Sequence, residues 1–439
     1  MADHRKKTDT TELWFAKRII DEIEMISIDE DLPAVIQQMK STAIEQLHSG
    51  DVKSVLEQIE LNHKEFFQPG INFQVDGSAL NNLKKTDISD KPAGELAAFL
   101  RVSPESISAS IRSDYHRKGV LISDLLSLSK EDSSMIPDLE KNGHLLRNSG
   151  TSPLLHAITS NAMVIVIPDH VEINEMMRVE IITESTENIV PFHLITKIGR
   201  NAKANILICI KSTKKQTSSS ISVLQNDFSL AENAELNVFR HQTAGKDSLI
   251  LVDDHIKQDR NSKVGFLNVD EGAKGLSSKI SVFLDGEGAE STVTGIYRPE
   301  KNSRFFYDTE QIHTASNTKS DLLYKGVIGE NAYTSWKGNI VIEENTRATN
   351  GYQANNNLVI HESAKIESVP GLEIKTDDVK CSHGVTIGNI DKNHMFYLQS
   401  RGINKDAAEK LIIHGFLRSA LNRTSTDVFS DQESTLFDF

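Results

Sequence analysis

Lys279-Ile280-Ser281-Val282-Phe283-Leu284-Asp285-Gly286-Glu287-Gly288-Ala289 carries both signals that decide the fold of this chain. Ile280, Val282 and Leu284 recur at a period of two, which puts one face of a β-strand into a core. The Glu287-Gly288-Ala289 that follows offers a glycine for a turn and then a small side chain. Both signals return outward from this point. Ile206, Ile208 and Ile210 alternate, as do Ile340 and Ile342, and Val327 follows Lys325 in the same way. The turn element recurs as Glu232-Asn233-Ala234, Glu271-Gly272-Ala273, Glu330-Asn331-Ala332, Glu344-Asn345-Thr346 and Glu362-Ser363-Ala364, with Arg200-Asn201-Ala202 as a seventh member. The third residues lie 32, 39, 16, 43, 14 and 18 positions apart. These intervals are often close to one, two or three units of roughly 14 to 18, as expected if each coil of a β-solenoid turns a corner on Asn or Gly and points a small side chain inward. A sandwich or barrel built on the same hairpin turns is the alternative. Strands without intervening helices from about residue 155 to about 390 favour the solenoid.

Helical patterns flank this block. From Thr11 to about Phe67, apolar residues such as Leu13, Ala16, Ile19, Ile20 and Ile23 recur at threes and fours. A second helix is predicted from Ser103-Pro104, with Ile107, Ile111 and Tyr115 on one stripe and Gly119 ending it. Gln68 to Pro92 reads as an irregular connection. After Asp391 the helical period returns; Asn404 is the expected N-cap, and Ala408, Leu411, Ile412, Gly415, Phe416 and Leu421 lie near one face. The expected organisation is a helical domain over 1–154, a β body over 155–391 and a helical domain over 392–439, ending in an acidic tail from Asp427.

Composition narrows the function. Forty-eight Lys and Arg against 62 Asp and Glu give a net charge of −14, which argues against general affinity for nucleic acid or anionic membranes. The longest aliphatic run, Ala162 to Ile167, is far short of a membrane span. MADHRKKTDT is followed by no apolar stretch of a secretory signal, so a reducing cytosol is the expected compartment. Cys209 and Cys381, 172 positions apart, cannot supply the four thiolates of an iron-sulfur cluster or zinc ribbon.

The densest polar constellation is Asp377-Asp378-Val379-Lys380-Cys381-Ser382-His383-Gly384. On a strand Cys381 and His383 share a face and could meet one metal, but a site needs further ligands, of which His361, Glu373 and His394 are nearest in sequence. A buried cysteine beside a hydrogen-bonded histidine is the structural alternative. Asp377 and Asp378, adjacent on a strand, would point to opposite faces, which weakens an acid/base pair of the kind used by polysaccharide-acting β-helical enzymes. Cys209 reads as a core residue or its outward neighbour, and Trp14 and Trp336 form no aromatic platform. No phosphate loop, dinucleotide fingerprint, HExxH or GxSxG is present.

YKGV at Tyr324 to Val327, the W-x-G at Trp336 to Gly338, NNNLVI at Asn355 to Ile360, VPGLEIKTDDVKCSHGVTIGNID at Val369 to Asp391, FYLQSRGI at Phe396 to Ile403 and AAEKLIIHGF at Ala407 to Phe416 together resemble the SufB/SufD family of iron-sulfur cluster assembly scaffolds. The resemblance implies a right-handed parallel β-helix between helical domains. It also implies a non-catalytic subunit that pairs with a SufB-type chain through the β-helix, or with a second copy of itself, and recruits the ABC-type ATPase SufC through its C-terminal helices. On that resemblance Asn404, Ala408, Leu411, Ile412 and Phe416 are the candidate SufC-binding residues. SufB-type chains carry cysteine where this chain has Asn355 and a His-Glu pair where it has His383-Gly384, so the resemblance is to the SufD form. It makes His383, then Cys381, the candidate interface ligands for iron or a transient, shared cluster. Neither would hold a cofactor tightly in the isolated chain.

Overall fold

The computed structural model describes residues 20–21, 34–47, 50–63, 66, 74–75, 87–89, 96–103, 106–131, 151–159, 162–183, 188–212, 219–421 and 423. Leu13, Ala16, Ile19, Ile23, Trp14, Pro104 and the tail from Asp427 lie outside the described residues. Seven helices are used below: α1 (Ala34–Leu47), α2 (Gly50–Asn62), α3 (Ser113–Arg117), α4 (Leu125–Glu131), α5 (Ser152–Ile158), α6 (Lys392–Ser400) and α7 (Lys405–Leu421).

From Met163 to Asn389 the chain passes alternately between two sheets, so each strand pairs with the next but one in sequence. Gly275–Leu284, which carries the opening alternation, lies parallel between Ser248–Gln258 and Arg304–His313 in a first, ten-stranded sheet. Glu290–Arg298, after its corner, lies between Lys263–Glu271 and Lys319–Ile328 in a second, eleven-stranded sheet. The result is a β-solenoid of about seven turns, with 55% of the chain in strands. Coil length runs from 26 residues, where Leu249 pairs with Gly275, to 32, where Ile189 pairs with Ile221. Each coil therefore contains two of the units read from the sequence.

The corners are where the tripeptides lie. Asn201, Asn233, Asn331 and Asn345 all have φ between 52° and 66°, and Gly272 and Gly288 are likewise left-handed. Asparagine and glycine tolerate this conformation, and the next residue, such as Ala202, Ala234 or Ala289, is buried in the narrow interior. Ser363 is the exception among the predicted corners, with no positive φ. Three further corners, Arg260-Asn261-Ser262, Lys301-Asn302-Ser303 and Ser316-Asn317-Thr318, use serine or threonine as the small residue. Register is reinforced by a ladder of alternating charge at the starts of the second sheet's strands: Glu172, Lys203, Glu235, Lys263, Glu290 and Lys319 are successive direct neighbours.

Inside the coils, Tyr297, Tyr307, Tyr324 and Trp336 form a contiguous aromatic column. Tyr324 lies opposite Gly295 and Tyr297 opposite Gly326, and a Cβ on either glycine would meet the facing ring at 2.4 or 2.2 Å. That close approach is the physical content of the aromatic-x-Gly spacing in YKGV; the same spacing lets Trp336 lie over Gly338 of its own strand.

Two structural expectations are corrected. The stripe Ile107, Ile111 and Tyr115 is not one helix: Ile107–Arg112 is a strand antiparallel to Ala98–Val102, and only the single turn α3 follows before Gly119. Ile107, Ala109 and Ile111 are buried in alternation, a period of two that competes with the helical reading. The connection from Gln68 to Pro92 contains two short strands, Gln74–Val75 and Asp87–Ser89, that join the sheets. The 98–112 hairpin and the strand Leu121–Asp124, antiparallel to Met163–Ile167, thus add strands to both sheets at the N-terminal end of the solenoid.

Helices cover both outer faces. Ala43, Leu56, Ile59, Leu154, Leu155 and Ile158 of α1, α2 and α5 pack on Ile189, Ile221, Val223, Leu249 and Leu251 of the first sheet. Ile413, Leu417, Ala420 and Leu421 of α7 pack on Phe239, Leu267, Ile296, Leu323 and Leu358 of the second. No helix among the described residues is long and apolar enough to cross a membrane.

Candidate functional site

The C-terminal end of the solenoid is built differently from the N-terminal end. Its last two strands, Lys365–Ile374 and Val379–Asn389, each terminate a sheet and have a strand neighbour on one side only. Leu372 and Ile374 continue the inward row of Ile340 and Ile342, and Val385 and Ile387 that of Asn355 and Asn357. With no coil beyond among the described residues, Ile374 is 42% and Ile387 51% exposed, and outward-facing Val369 is 56% exposed. An edge with free backbone donors and acceptors and an apolar floor is a template for further strand pairing.

Cys381 and His383 sit on this edge. Their register partners are Gly351 and Gln353, inward positions of the preceding coil, so both side chains belong to the face that continues the interior. Cys381 is half-buried, its Sγ 3.3 Å from where a Cβ on Gly351 would stand, and burial pushes its thiol pKa up against a backbone hydrogen bond at Gly351. His383 is exposed. Gly384 has only Tyr352 Oη, at 3.8 Å, near a notional Cβ, so packing does not require a glycine there. Among the described residues no group of three or more His, Cys, Asp or Glu is arranged to hold a metal ion, so His361, Glu373 and His394 do not complete a ligand set with Cys381 and His383.

Asn355, one coil inward, is fully buried and holds a hydrogen-bond hub. Its Nδ2 donates to Tyr297 Oη at 3.0 Å, and its Oδ1 accepts from Asn357 Nδ2 at 2.7 Å and Ser368 Oγ at 2.9 Å. Asn355→Ala should destabilise the chain by about 1–3 kcal/mol, because Tyr297, Asn357 and Ser368 lose a shared partner in a dry interior; urea unfolding at neutral pH checks this.

Asn404 caps α7 as expected, its Oδ1 accepting the Ala407 N–H at 2.8 Å. The rest of the predicted helix face divides. Ala408 is buried, Ile412 and Phe416 are half-buried, and Phe416 lies under Lys325 Nζ at 4.4 Å. Leu411 is 52% exposed and lies off the face that packs on the second sheet, which runs through Ile413, Leu417, Ala420 and Leu421; Ala408, nine positions before Leu417, is buried on the opposite side of the helix. Phe396 and Tyr397 of α6, 72% and 57% exposed, were not picked out from the sequence as binding residues, although two adjacent aromatics in a helical segment were the available signal.

The remaining candidates fall elsewhere. Asp377 and Asp378 lie in the turn between the last two strands rather than on a strand, so the opposite-face argument does not apply to them. Cys209 is the outward neighbour of buried Ile208 and Ile210, and burial raises its thiol pKa. Trp336 belongs to the interior column.

A family model described as the SUF system FeS cluster assembly SufBD core domain matches residues 181–416, more than half of the chain. The chain belongs to the SufB/SufD family. It is 36% identical over 141 residues to the iron-sulfur cluster assembly protein SufD of Escherichia coli, covering 32% of this chain and 33% of that one. It is 26% identical over 288 residues to a SufBD family protein of Synechocystis, 63% of each chain, and 23% identical over 334 residues to SufD of Bacillus subtilis, 71% of this chain and 72% of that one. The match thus spans a third to just under two thirds of the first two of these relatives. Within the SufB/SufD family the chain is of the SufD type.

Proposed function

We propose that this SufD-type chain is a non-catalytic assembly subunit of the SUF system that pairs through the open last coil of its solenoid with a SufB-type chain. The observation that carries this is the edge of Lys365–Ile374 and Val379–Asn389, which leaves apolar side chains and backbone hydrogen-bonding groups unpaired beside Cys381 and His383. In this reading the β body over 155–391 forms the pairing unit in the cytosol. The exposed side of α6 and α7, with Phe396, Tyr397 and Leu411, receives the SufC ATPase, while Ile413 and Leu417 hold α7 on its own sheet. Iron or the nascent cluster is cargo, handled transiently where His383 and Cys381 meet the partner's edge. An imidazole and a half-buried thiol suit a shared site that neither chain completes alone.

His383→Ala tests the assignment of that site. Because the side chain is exposed, the variant should match the parent in thermal unfolding to within about 0.5 kcal/mol. Anaerobic cluster reconstitution on the complex co-expressed with SufB-type and SufC proteins should fall at least about tenfold. Unchanged cluster yield in an intact complex would remove His383 from the site.

A further inference from the structure

Two imidazoles are shut away from water between the N-terminal helices and the first sheet. His63, just beyond α2, is fully buried; its Nε2 lies 3.0 Å from Ser277 Oγ, its ring meets Phe306 edge-on at 5.1 Å, and Nδ1 has no hydrogen-bond partner among the described residues. A Cβ at Gly275 would come within 2.6 Å of that Nδ1, so the glycine is what lets the ring down onto the sheet. Arg304 faces it from the next strand, its Nε bound to Asn62 O at 2.8 Å. His156 of α5 is 1% exposed, and neither ring nitrogen has a hydrogen-bond partner among the described residues.

The groups along this face of the cover and the sheet beneath it are charged or chargeable. His193 lies beside it, ring centroids 5.3 Å apart, and Asp227 bridges His193 at 2.6 Å and His255 at 3.0 Å. Asp253 holds the N–H and Oγ1 of Thr151 at the start of α5, at 2.7 and 3.1 Å. Lys40 of α1 donates to Ala157 O at 3.1 Å, and on the sheet Lys279 pairs with Glu310 at 3.1 Å, near Asp308.

We propose that α1, α2 and α5 form an acid-sensitive cover. In mild acid His63 and His156 take up protons and the cover lifts from the first sheet, baring Ile189, Ile221, Val223, Leu249 and Leu251 while the solenoid stays folded. Neither ring can hold a proton in place. Burial, then Arg304, pushes His63 down to about 3; burial, then His193, with His255 adding and Asp227 opposing, pushes His156 down to about 3. At these two rings the docked state therefore binds fewer protons than the released state, while burial, which raises the Asp253 carboxyl pKa, works in the opposite sense at that group. Docking is at full strength above the free-histidine value of about 6.5 and weakens as pH falls from there toward 3. Asp227 and His255 both belong to the first sheet, so their ion pair persists on release and does not hold the cover down.

Hydrogen exchange read by mass spectrometry on the full chain tests this, expressed as protection factors so that intrinsic rates cancel. Between pH 7.5 and pH 5.5 each histidine should weaken docking about tenfold, so protection of 34–63 and 151–158 should fall by up to about a hundredfold. Protection of the strands from Lys263 to Ile342 should hold. The double variant His63→Phe with His156→Phe should remove most of that pH dependence. Unchanged protection of the helices in the parent chain, or equal loss in helices and solenoid, would overturn the proposal. The parent profile decides the matter even if the double variant fails to dock.

Discussion

Arg240→Ala should lower folding stability by about 3–5 kcal/mol, the range expected when one member of a buried ionic cluster is deleted. Arg240 is fully buried inside the solenoid, with Nε 3.3 Å from Asp254 Oδ2, Nη2 3.8 Å from Asp270 Oδ2 and Nη2 donating to Ser278 Oγ at 3.0 Å. Burial opposes its charge, but Asp254 and Asp270 together hold its pKa above the usual arginine value. Burial likewise pushes both carboxyls up, and Arg240 is the main force holding them down. Without the guanidinium the two carboxylates keep only their neutral hydrogen bonds, from Asn226 to Asp254 and from Asn268 and Tyr307 to Asp270, and lose their countercharge, so both would bind protons more tightly folded than unfolded. Stability of the variant should then fall as pH rises above about 4, so its deficit is larger at pH 8 than at pH 5. Adding Asp254→Asn and Asp270→Asn to Arg240→Met should recover most of the loss, because the uncompensated charge is then gone. Guanidinium unfolding at the two pH values reads both effects. A deficit under about 1 kcal/mol at pH 8 would mean the cluster is not a closed ionic unit.

Val385→Asp with Ile387→Asp should have the largest effect on association. Both side chains are part-exposed on the inward face of the last strand, so the charges stay hydrated in the separated chain and unfolding should shift little. In a paired solenoid they would be buried without partners at the centre of the joint. Losses of about 2–4 kcal/mol are typical when an interface hot spot is disrupted, which corresponds to a roughly 30- to 1000-fold weaker complex.

The β body was legible because two independent signals coincide in it. Ile280, Val282 and Leu284 alternate on the inward face, and Gly288 turns left-handed immediately after them. Corners at Asn261, Asn302 and Asn317 fall outside the pattern of Glu, then a small or amide residue, then Ala or Thr, because Arg260, Lys301 and Ser316 precede them and Ser262 and Ser303 follow the first two. The physical requirement is only an asparagine or glycine that tolerates positive φ and a small residue that fits inside, which Ser262, Ser303 and Thr318 also satisfy. The segment 107–112 reads as helix in the sequence because Ile107 and Ile111 fit a four-residue spacing as well as a two-residue one; pairing with Ala98–Val102 decides between them, and pairing is not a local property. At the site, two-residue spacing put Cys381 and His383 on one face, but whether another coil covers that face depends on where the solenoid stops. Arg240, Asp254 and Asp270 looked like ordinary strand charges. Only the parity that Arg240 shares with buried Leu236 and Val238 hinted that they point inward.

Native mass spectrometry of this chain co-expressed with a SufB-type chain and SufC tests the central claim most directly, with the parent and the Val385→Asp, Ile387→Asp variant side by side. The parent should appear as a complex holding this chain, the SufB-type chain and SufC, and the folded variant should lose the SufB-type chain while keeping SufC on its C-terminal helices. Undiminished pairing by the folded variant, or a parent chain that binds neither protein, would contradict it.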